Sequence, residues 1–145
     1  MEKPIPPDQK ILDILLEALK DATMSSAYLL HLHERADDPA EKEILRQIRM
    51  TGLKHIRLFQ SIHQQLTGEE AVIPDSTAFL TRKVSEDLSE EYAKTILSKL
   101  ESAEYCRKIY FGFASAEIRD ILFEIITDEQ NMAIQFNYLY SRFAR

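Results

Sequence analysis

Apolar residues recur at steps of three and four along four stretches of the chain, which is the spacing of amphipathic α-helices. In the last stretch, this apolar stripe consists of Ile118, Leu122, Ile125, Met132, Phe136, Leu139 and Phe143. Glu129 falls on the same stripe, four residues after Ile125 and three before Met132. A carboxylate within an apolar stripe is costly to bury unless another group pairs with it. We therefore expect a specific partner for Glu129 inside the fold.

The four stretches predict helices over about 8–35, 39–67, 86–111 and 115–144, and hence an all-α fold. Residues suited to cap the helix N-termini are Asp8, Asp38, Ser85 or Ser89, and Ser115. Pro39 suits the first position of the second helix, and Gly68 suits its C-terminal end. With 145 residues, the chain is expected to form one domain, 1–145.

The segment between the second and third helices, about 68–85, shows no clean periodicity and contains Pro74. The second helix would be about 42 Å long, at 1.5 Å per residue. The segment can stretch to roughly 55 Å, so it can return along the whole bundle. The third helix would then start parallel to the second. These lengths predict an antiparallel four-helix bundle with a long crossover between helices 2 and 3.

The other three helices are interrupted by small or polar residues. The first is small and weakly polar in its middle, at Ala22 and Ser26, and the second carries Gly52 and His55 on an otherwise apolar stripe. For the third helix we predict the inward positions Ile96, Leu97, Leu100, Ala103, Glu104, Arg107, Tyr110 and Phe111.

The second and fourth helices can be overlaid with an offset of 77 residues, which pairs Phe59 with Phe136. The same offset pairs Gly52 with Glu129 and His55 with Met132. One helix therefore reads Gly-x-x-His where the other reads Glu-x-x-Met, like two incomplete copies of Glu-x-x-His. The pattern favours a bundle built from two duplicated helical hairpins.

Composition narrows the class of protein. The formal net charge of −6 and the absence of any Lys/Arg block argue against a nucleic-acid partner. The single cysteine, Cys106, excludes an internal disulfide and a Cys-rich zinc or iron–sulfur site. No apolar run approaches the ~20 residues of a membrane-spanning helix, and Met1–Pro7 lacks the pattern of a signal peptide. We expect a cytoplasmic protein with no membrane partner.

Glu-x-x-His places a carboxylate and an imidazole on one helix face. Two such motifs and one Glu from each remaining helix form a di-iron or di-manganese carboxylate site. The helix order, the crossover and two segments resemble the ferritin-like superfamily, in particular its small rubrerythrin-like bacterial members that lack an iron–sulfur tail. These segments are Lys54-His55-Ile56-Arg57-Leu58-Phe59 with Leu66-Thr67-Gly68, and Asp128-Glu129-Gln130-Asn131-Met132-Ala133.

The resemblance implies six metal ligands, four Glu and two His. The candidates present are His55, Glu104 and Glu129, with a register that places Ala103 instead of Glu104 as the alternative on helix 3. The remaining ligand positions carry Ala22, Gly52 and Met132. The implied di-metal site is therefore degenerate.

Two hypotheses for the function follow. In the first, the site is lost, no cofactor is bound, the protein has a non-catalytic structural or interaction role, and Arg107 or a protonated His55 supplies positive charge in place of the metal. In the alternative, a metal-binding protein or rubrerythrin-like oxidoreductase holds iron or manganese on His55, Glu104 and Glu129. Long helices and the aromatic residues of helix 4 lead us to expect a homodimer.

Overall fold

Four α-helices form the fold in the computed structural model, which describes residues 9–75 and 83–143. The helices are α1 (Gln9–Arg35), α2 (Pro39–Thr67), α3 (Leu88–Tyr110) and α4 (Ala116–Ser141). Across these two described ranges there is no β-strand. The fold is all-helical, with four helices packed as a bundle, as the periodicity predicts.

Local sequence signals set most of the helix ends. Asp38 caps α2, where its carboxylate accepts a hydrogen bond from the Glu41 backbone N–H at 3.1 Å, and Pro39 takes the first helical position. Gly68 ends α2 with a φ of 75°, a left-handed conformation that favours glycine. Ser115 caps α4 as predicted.

The cap of α3 differs from the prediction. Asp87 caps this helix, and its Oδ1 accepts hydrogen bonds from both the backbone N–H and the hydroxyl of Ser89. A carboxylate at this position also places a negative charge at the positive end of the helix dipole. Ser85 instead donates its backbone N–H to the carboxylate of Glu91 at 3.0 Å. The predicted cap at Asp8 lies outside the described residues.

Two antiparallel pairs make up the bundle. α1 packs extensively against α2, to which a link of only three residues joins it, and α3 packs extensively against α4. α1 also runs antiparallel to α3. At one end, Tyr105 Oη lies 3.5 Å from the carbonyl of Ile14, and at the other, Arg35 donates to the carbonyl of Glu86 at 2.6 Å.

The apolar interior consists of two clusters, one towards each end of the bundle. The first contains Leu15, Leu19, Ile56, Phe59, Ile62, Cys106, Ile109, Leu122 and Ile125. The second contains Tyr28, Leu29, Leu32, Leu45, Ile48, Tyr92, Met132, Phe136 and Leu139. Between them, each helix contributes small or polar residues to the interior. The predicted α4 stripe is buried from Ile118 to Leu139, while Phe143 is exposed.

The orientation of α3 corrects the sequence prediction. Its buried positions are Glu91, Tyr92, Thr95, Lys99, Ala103, Cys106 and Ile109. Of the predicted inward residues, Leu97 and Phe111 are 63% and 66% exposed, and Leu100 is also exposed. Apolar residues occur on both faces of this helix, and the buried face includes two charged side chains, Glu91 and Lys99. A rule that buries the more apolar face therefore selects the wrong one.

No helix within residues 9–75 and 83–143 combines the length and the apolar character that crossing a membrane requires.

Candidate functional site: a buried charge cluster

Four ionisable side chains meet between the two apolar clusters, and we call them the charge cluster: His55, Lys99, Asp128 and Glu129. His55 comes from the middle of α2, Lys99 from α3, and the two carboxylates from adjacent positions on α4. α1 contributes Ser25 next to this cluster. The site is thus assembled from all four helices at one level of the bundle.

Glu129 is the centre of the charge cluster, because its two oxygens face two different basic side chains. Oε1 lies 3.2 Å from His55 Nδ1, and Oε2 lies 3.4 Å from Lys99 Nζ. The Glu129 and Lys99 side chains are only 10% and 6% exposed. Lys99 Nζ also donates a hydrogen bond to Ser25 Oγ at 2.9 Å. Oε2 is within ion-pair distance of Lys99 but accepts no hydrogen bond.

Both ring nitrogens of His55 face carboxylate oxygens. Nε2 lies 2.8 Å from Asp128 Oδ2, while Nδ1 faces Glu129 Oε1. Carboxylates only accept hydrogen bonds, so each contact requires a proton on the facing nitrogen. The geometry therefore fits the doubly protonated, positively charged imidazolium. Lys54 Nζ contacts the same Asp128 oxygen at 2.8 Å and extends the cluster towards the surface.

The electrostatics keep both carboxylates charged. Burial by itself raises the pKa of Glu129, but the charge of Lys99 and the contact with His55 outweigh burial, so the pKa of Glu129 is lowered. The pKa of Asp128 is likewise lowered, because its hydrogen bonds with Lys54 and His55 outweigh the desolvation that raises it. Asp128 in turn raises the pKa of Lys54.

The structure brings His55 and Glu129 together, as the sequence predicts, but it separates them from Glu104. The Glu104 side chain is 59% exposed and lies 3.8 Å from Arg107 on the outer face of α3. Arg107 is exposed as well, so the hypothesis that it supplies charge to the core is wrong. Ala103, the alternative position on helix 3, is buried.

The three non-ligand residues of the predicted site lie at the level of the charge cluster or beside it. Ala22 lines a cavity next to Glu129. Gly52 is buried, and a Cβ atom built there would meet Leu29 Cδ1 at 3.5 Å. Met132 is fully buried in the second apolar cluster. None of the three brings an oxygen or nitrogen side-chain ligand to Glu129.

Lys99 is the residue of the charge cluster that the sequence did not predict. The 77-residue offset that overlays α2 on α4 also pairs Ala22 of α1 with Lys99 of α3. Applied to these two helices, the offset would have placed Lys99 in the same layer as Glu129. The apolar stripe of α3 pointed instead to Glu104 and Arg107.

The residues of the cluster do not fit a dinuclear iron or manganese centre. Such a centre needs several carboxylates and imidazole nitrogens with free lone pairs. Here both nitrogens of His55 face carboxylates, and an ammonium lies next to the remaining oxygen of Glu129. Among the residues that the structure describes, no three His, Cys, Asp or Glu side chains are grouped so that they could hold one ion.

A cavity of about 450 Å³ adjoins the charge cluster between α1 and α3. Its lining includes Lys99, Glu129 and Cys106, together with Phe59 and Ala22. Burial, and then the charge of Glu129, raises the pKa of the Cys106 thiol to about 12. This cysteine is therefore an unreactive thiol at neutral pH, because the thiolate is the reactive form.

A second set of buried polar side chains lies within the second apolar cluster. Tyr28 Oη donates to Glu91 Oε2 at 3.1 Å and lies 3.1 Å from Thr95 Oγ1. Tyr92 Oη donates to the buried carboxylate of Glu41. Burial and this contact raise the pKa of Tyr92, so it remains a hydrogen-bond donor. These bonds satisfy two buried carboxylates and join α1 and α2 to α3.

We compared the chain with protein-family models, with curated proteins and with solved structures, and no match was found in any of the three.

Proposed function

We propose that this chain is a ferritin-like four-helix bundle in which fixed side-chain cations take the place of a dinuclear metal centre. We further propose a structural or interaction role rather than a catalytic one. The antiparallel pairing of α1 with both α2 and α3 supports the topology. With that pairing, α2 and α3 run in the same direction, and the connection between them is inferred to be a crossover.

The observation that carries the proposal is the position of the Lys99 ammonium, 3.4 Å from Glu129 Oε2. In a di-metal bundle, divalent cations neutralise the inward carboxylates. Here Lys99 and the imidazolium of His55 neutralise Glu129 instead. Neither cation has an open coordination position or a second oxidation state, so neither supplies the chemistry of a metal oxidase. The inward carboxylate is then neutralised by side-chain cations within an apolar core, and the proposed role lies in contacts with partners.

The outer faces of α3 and α4 are the proposed contact surface, through which the chain would form a homodimer. Large apolar side chains are exposed there, including Leu97 on α3 and Phe123 and Ile134 on α4. Exposed apolar side chains favour contact with a partner where they lie side by side. The net charge of −6 disfavours nucleic acid as the partner.

Elemental analysis tests the proposal directly. The protein would be purified without chelator or metal-affinity resin and then incubated with Fe(II), Mn(II) and Zn(II). We expect no stoichiometric metal and no change in melting temperature, because a ligand that binds the native state raises it. Two equivalents of metal would overturn the proposal. One equivalent, lost in Glu129→Ala, would overturn it in favour of a metal-binding protein with a reduced ligand set.

A further inference from the structure

We infer that the cavity between α1 and α3 binds a small uncharged molecule that carries a primary carboxamide group. The inference does not depend on whether the bundle is ferritin-like. The cavity volume of about 450 Å³ is within the range of small-molecule sites, roughly 300–1,000 Å³. It is lined by described residues of α1 and α3, with Phe59, Ile125 and Glu129 from the other two helices.

The Lys99–Glu129 ion pair at the cavity favours an uncharged group next to it. Lys99 and Glu129 both line the cavity, so a cation and an anion stand side by side. An anionic ligand would be attracted by Lys99 and repelled by Glu129, and a cationic ligand would experience the reverse. Beyond this pair, the lining carries the two carboxylates of Asp21 and Glu101 but only one further ammonium, that of Lys94, so negative groups outnumber positive ones and disfavour an anion. Burial and the charge of Glu17 raise the pKa of Asp21, so added negative charge is unfavourable there.

The ion pair has an unused hydrogen-bond donor and an unused acceptor, and a carboxamide can pair with both. An ammonium has three N–H groups. Lys99 donates one to Ser25 Oγ, and its Nζ lies 3.4 Å from Glu129 Oε2 without a hydrogen bond between them, which leaves N–H groups for a carbonyl oxygen. Glu129 Oε2 is buried and accepts no hydrogen bond, so it lacks a donor. A primary carboxamide carries a carbonyl oxygen and an N–H₂ group on one carbon, and it can therefore address both residues.

The rest of the cavity suits a flat apolar body. Ala18, Ala22, Phe59 and Ile125 provide apolar surface, and the larger side chains of Met24 and Tyr28 on α1 also line the cavity. Ser98 and Ser102 contribute hydroxyl groups to the lining from α3. Ligand sites combine apolar walls with polar groups that fix the orientation of the ligand. An aromatic carboxamide of the size of benzamide meets these requirements.

Three probes of nearly equal shape test the chemistry: benzamide, acetophenone and benzoate, each titrated into the full chain by two-dimensional amide NMR. Benzamide is expected to shift the amide signals around Lys99 and Glu129. Acetophenone keeps the carbonyl but lacks the N–H. Its affinity is therefore expected to be roughly one tenth of the affinity of benzamide, or lower. Benzoate is expected to bind still more weakly. Absence of benzamide binding, equal affinity for benzamide and acetophenone, or preference for benzoate would each overturn the inference.

Two substitutions locate the site. Ala22→Leu places a larger side chain in the cavity, and Ala116→Leu is the matched control at an exposed position of α4. We expect Ala22→Leu to abolish benzamide binding and Ala116→Leu to leave it unchanged. If Ala22→Leu does not fold, Ser98→Phe blocks the cavity from an exposed position of α3. Benzamide affinity that is unchanged in a folded blocking variant would overturn the location.

Discussion

Lys99 Nζ lies 3.4 Å from Glu129 Oε2, and both side chains are buried at the middle of the bundle. This pair explains how α4 keeps a carboxylate on its apolar stripe. Removing one member of a buried ion pair leaves an uncompensated charge, whereas replacing both with apolar residues is often neutral. The energetic contribution of the pair can therefore be measured by comparing the stabilities of single and double variants.

Lys99→Met is expected to lower the free energy of unfolding by about 3–5 kcal/mol, because Glu129 then loses its closest cation besides His55. The double variant Lys99→Met/Glu129→Met is expected to recover most of that loss, and urea denaturation measures both. Lys94→Met, at an exposed position of the same helix, is the control and is expected to change stability by less than about 0.5 kcal/mol. If the losses of stability in Lys99→Met and Glu129→Met added up to the loss in the double variant, direct pairing would be contradicted.

Lys99→Glu tests the relation between the ammonium and a metal. The substitution places a second carboxylate beside Glu129 and removes the competing cation, which favours binding of a divalent ion. The variant is expected to be less stable than the wild type without metal and to gain melting temperature with Mn(II). The wild type and Lys94→Glu serve as controls and are expected not to respond. An equal Mn(II) response in Lys94→Glu would point to non-specific surface binding.

Stability is expected to fall in acid through Asp128 and Glu129. Their pKa values are lowered in the folded state, so the unfolded chain binds protons first as the pH falls. Their contribution is fully present well above the ordinary carboxyl pKa values and is lost progressively between about pH 5 and the lowered folded-state values. The urea midpoint would be measured from pH 7 to pH 3.

Glu129→Gln removes one of these titrations and is expected to flatten the midpoint profile below pH 5. Exposed carboxylates such as Asp38 and Asp87 also have lowered pKa values, so the wild-type slope alone is not diagnostic. An unchanged slope in Glu129→Gln would show that Glu129 does not contribute to the acid transition.

Gly52→Ala is expected to raise the free energy of unfolding by about 0.5–1 kcal/mol, because Ala is the better helix former. The added Cβ would make an ordinary contact with Leu29 Cδ1 at 3.5 Å. Gly68→Ala is the matched control and is expected to destabilise, because Gly68 has a φ of 75°. Thermal unfolding of both variants measures the difference. A destabilised Gly52→Ala would show that the packing around Leu29 has no room.

The proposed homodimer is tested on the exposed apolar residues of α3 and α4. The double variant Leu97→Lys/Ile134→Lys places two charges on this surface and is expected to shift the mass measured by light scattering from dimer to monomer. Leu16→Lys, at an exposed leucine of α1, is the control and is expected to remain dimeric. A wild-type chain that is monomeric at all concentrations would refute the dimer.

The sequence alone predicted much of the fold, because its signals are local. Four periodic stretches predict the helices, and several of their ends are set by capping residues, namely Asp38 with Pro39, Gly68 and Ser115. The helix ends in the structure lie within a few residues of the predicted ones. His55 and Glu129 were found because each interrupts a clear apolar stripe. They converge, at 3.2 Å.

The third helix was harder to orient for a physical reason. Its buried face carries Lys99 and Thr95, while Leu97 and Phe111 lie on the outside. Hydrophobic periodicity predicts only which apolar residues are buried. It does not predict the burial of a lysine whose carboxylate partner lies on another helix. The prediction of Glu104 as a site residue depended on the wrong orientation of this helix. In the structure Glu104 is exposed and forms an ion pair with Arg107.

The two apolar faces of α3 have a consequence for how the chain reaches one structure. Burial of apolar area alone would permit this helix to rotate about its axis and turn Leu97 and Phe111 inwards. The attraction between Lys99 and Glu129 distinguishes the two rotations, since only one of them brings the charges together. A polar contact of this kind can fix orientation even where it adds little stability. The double Met variant would then unfold like the wild type yet show two sets of amide signals along α3.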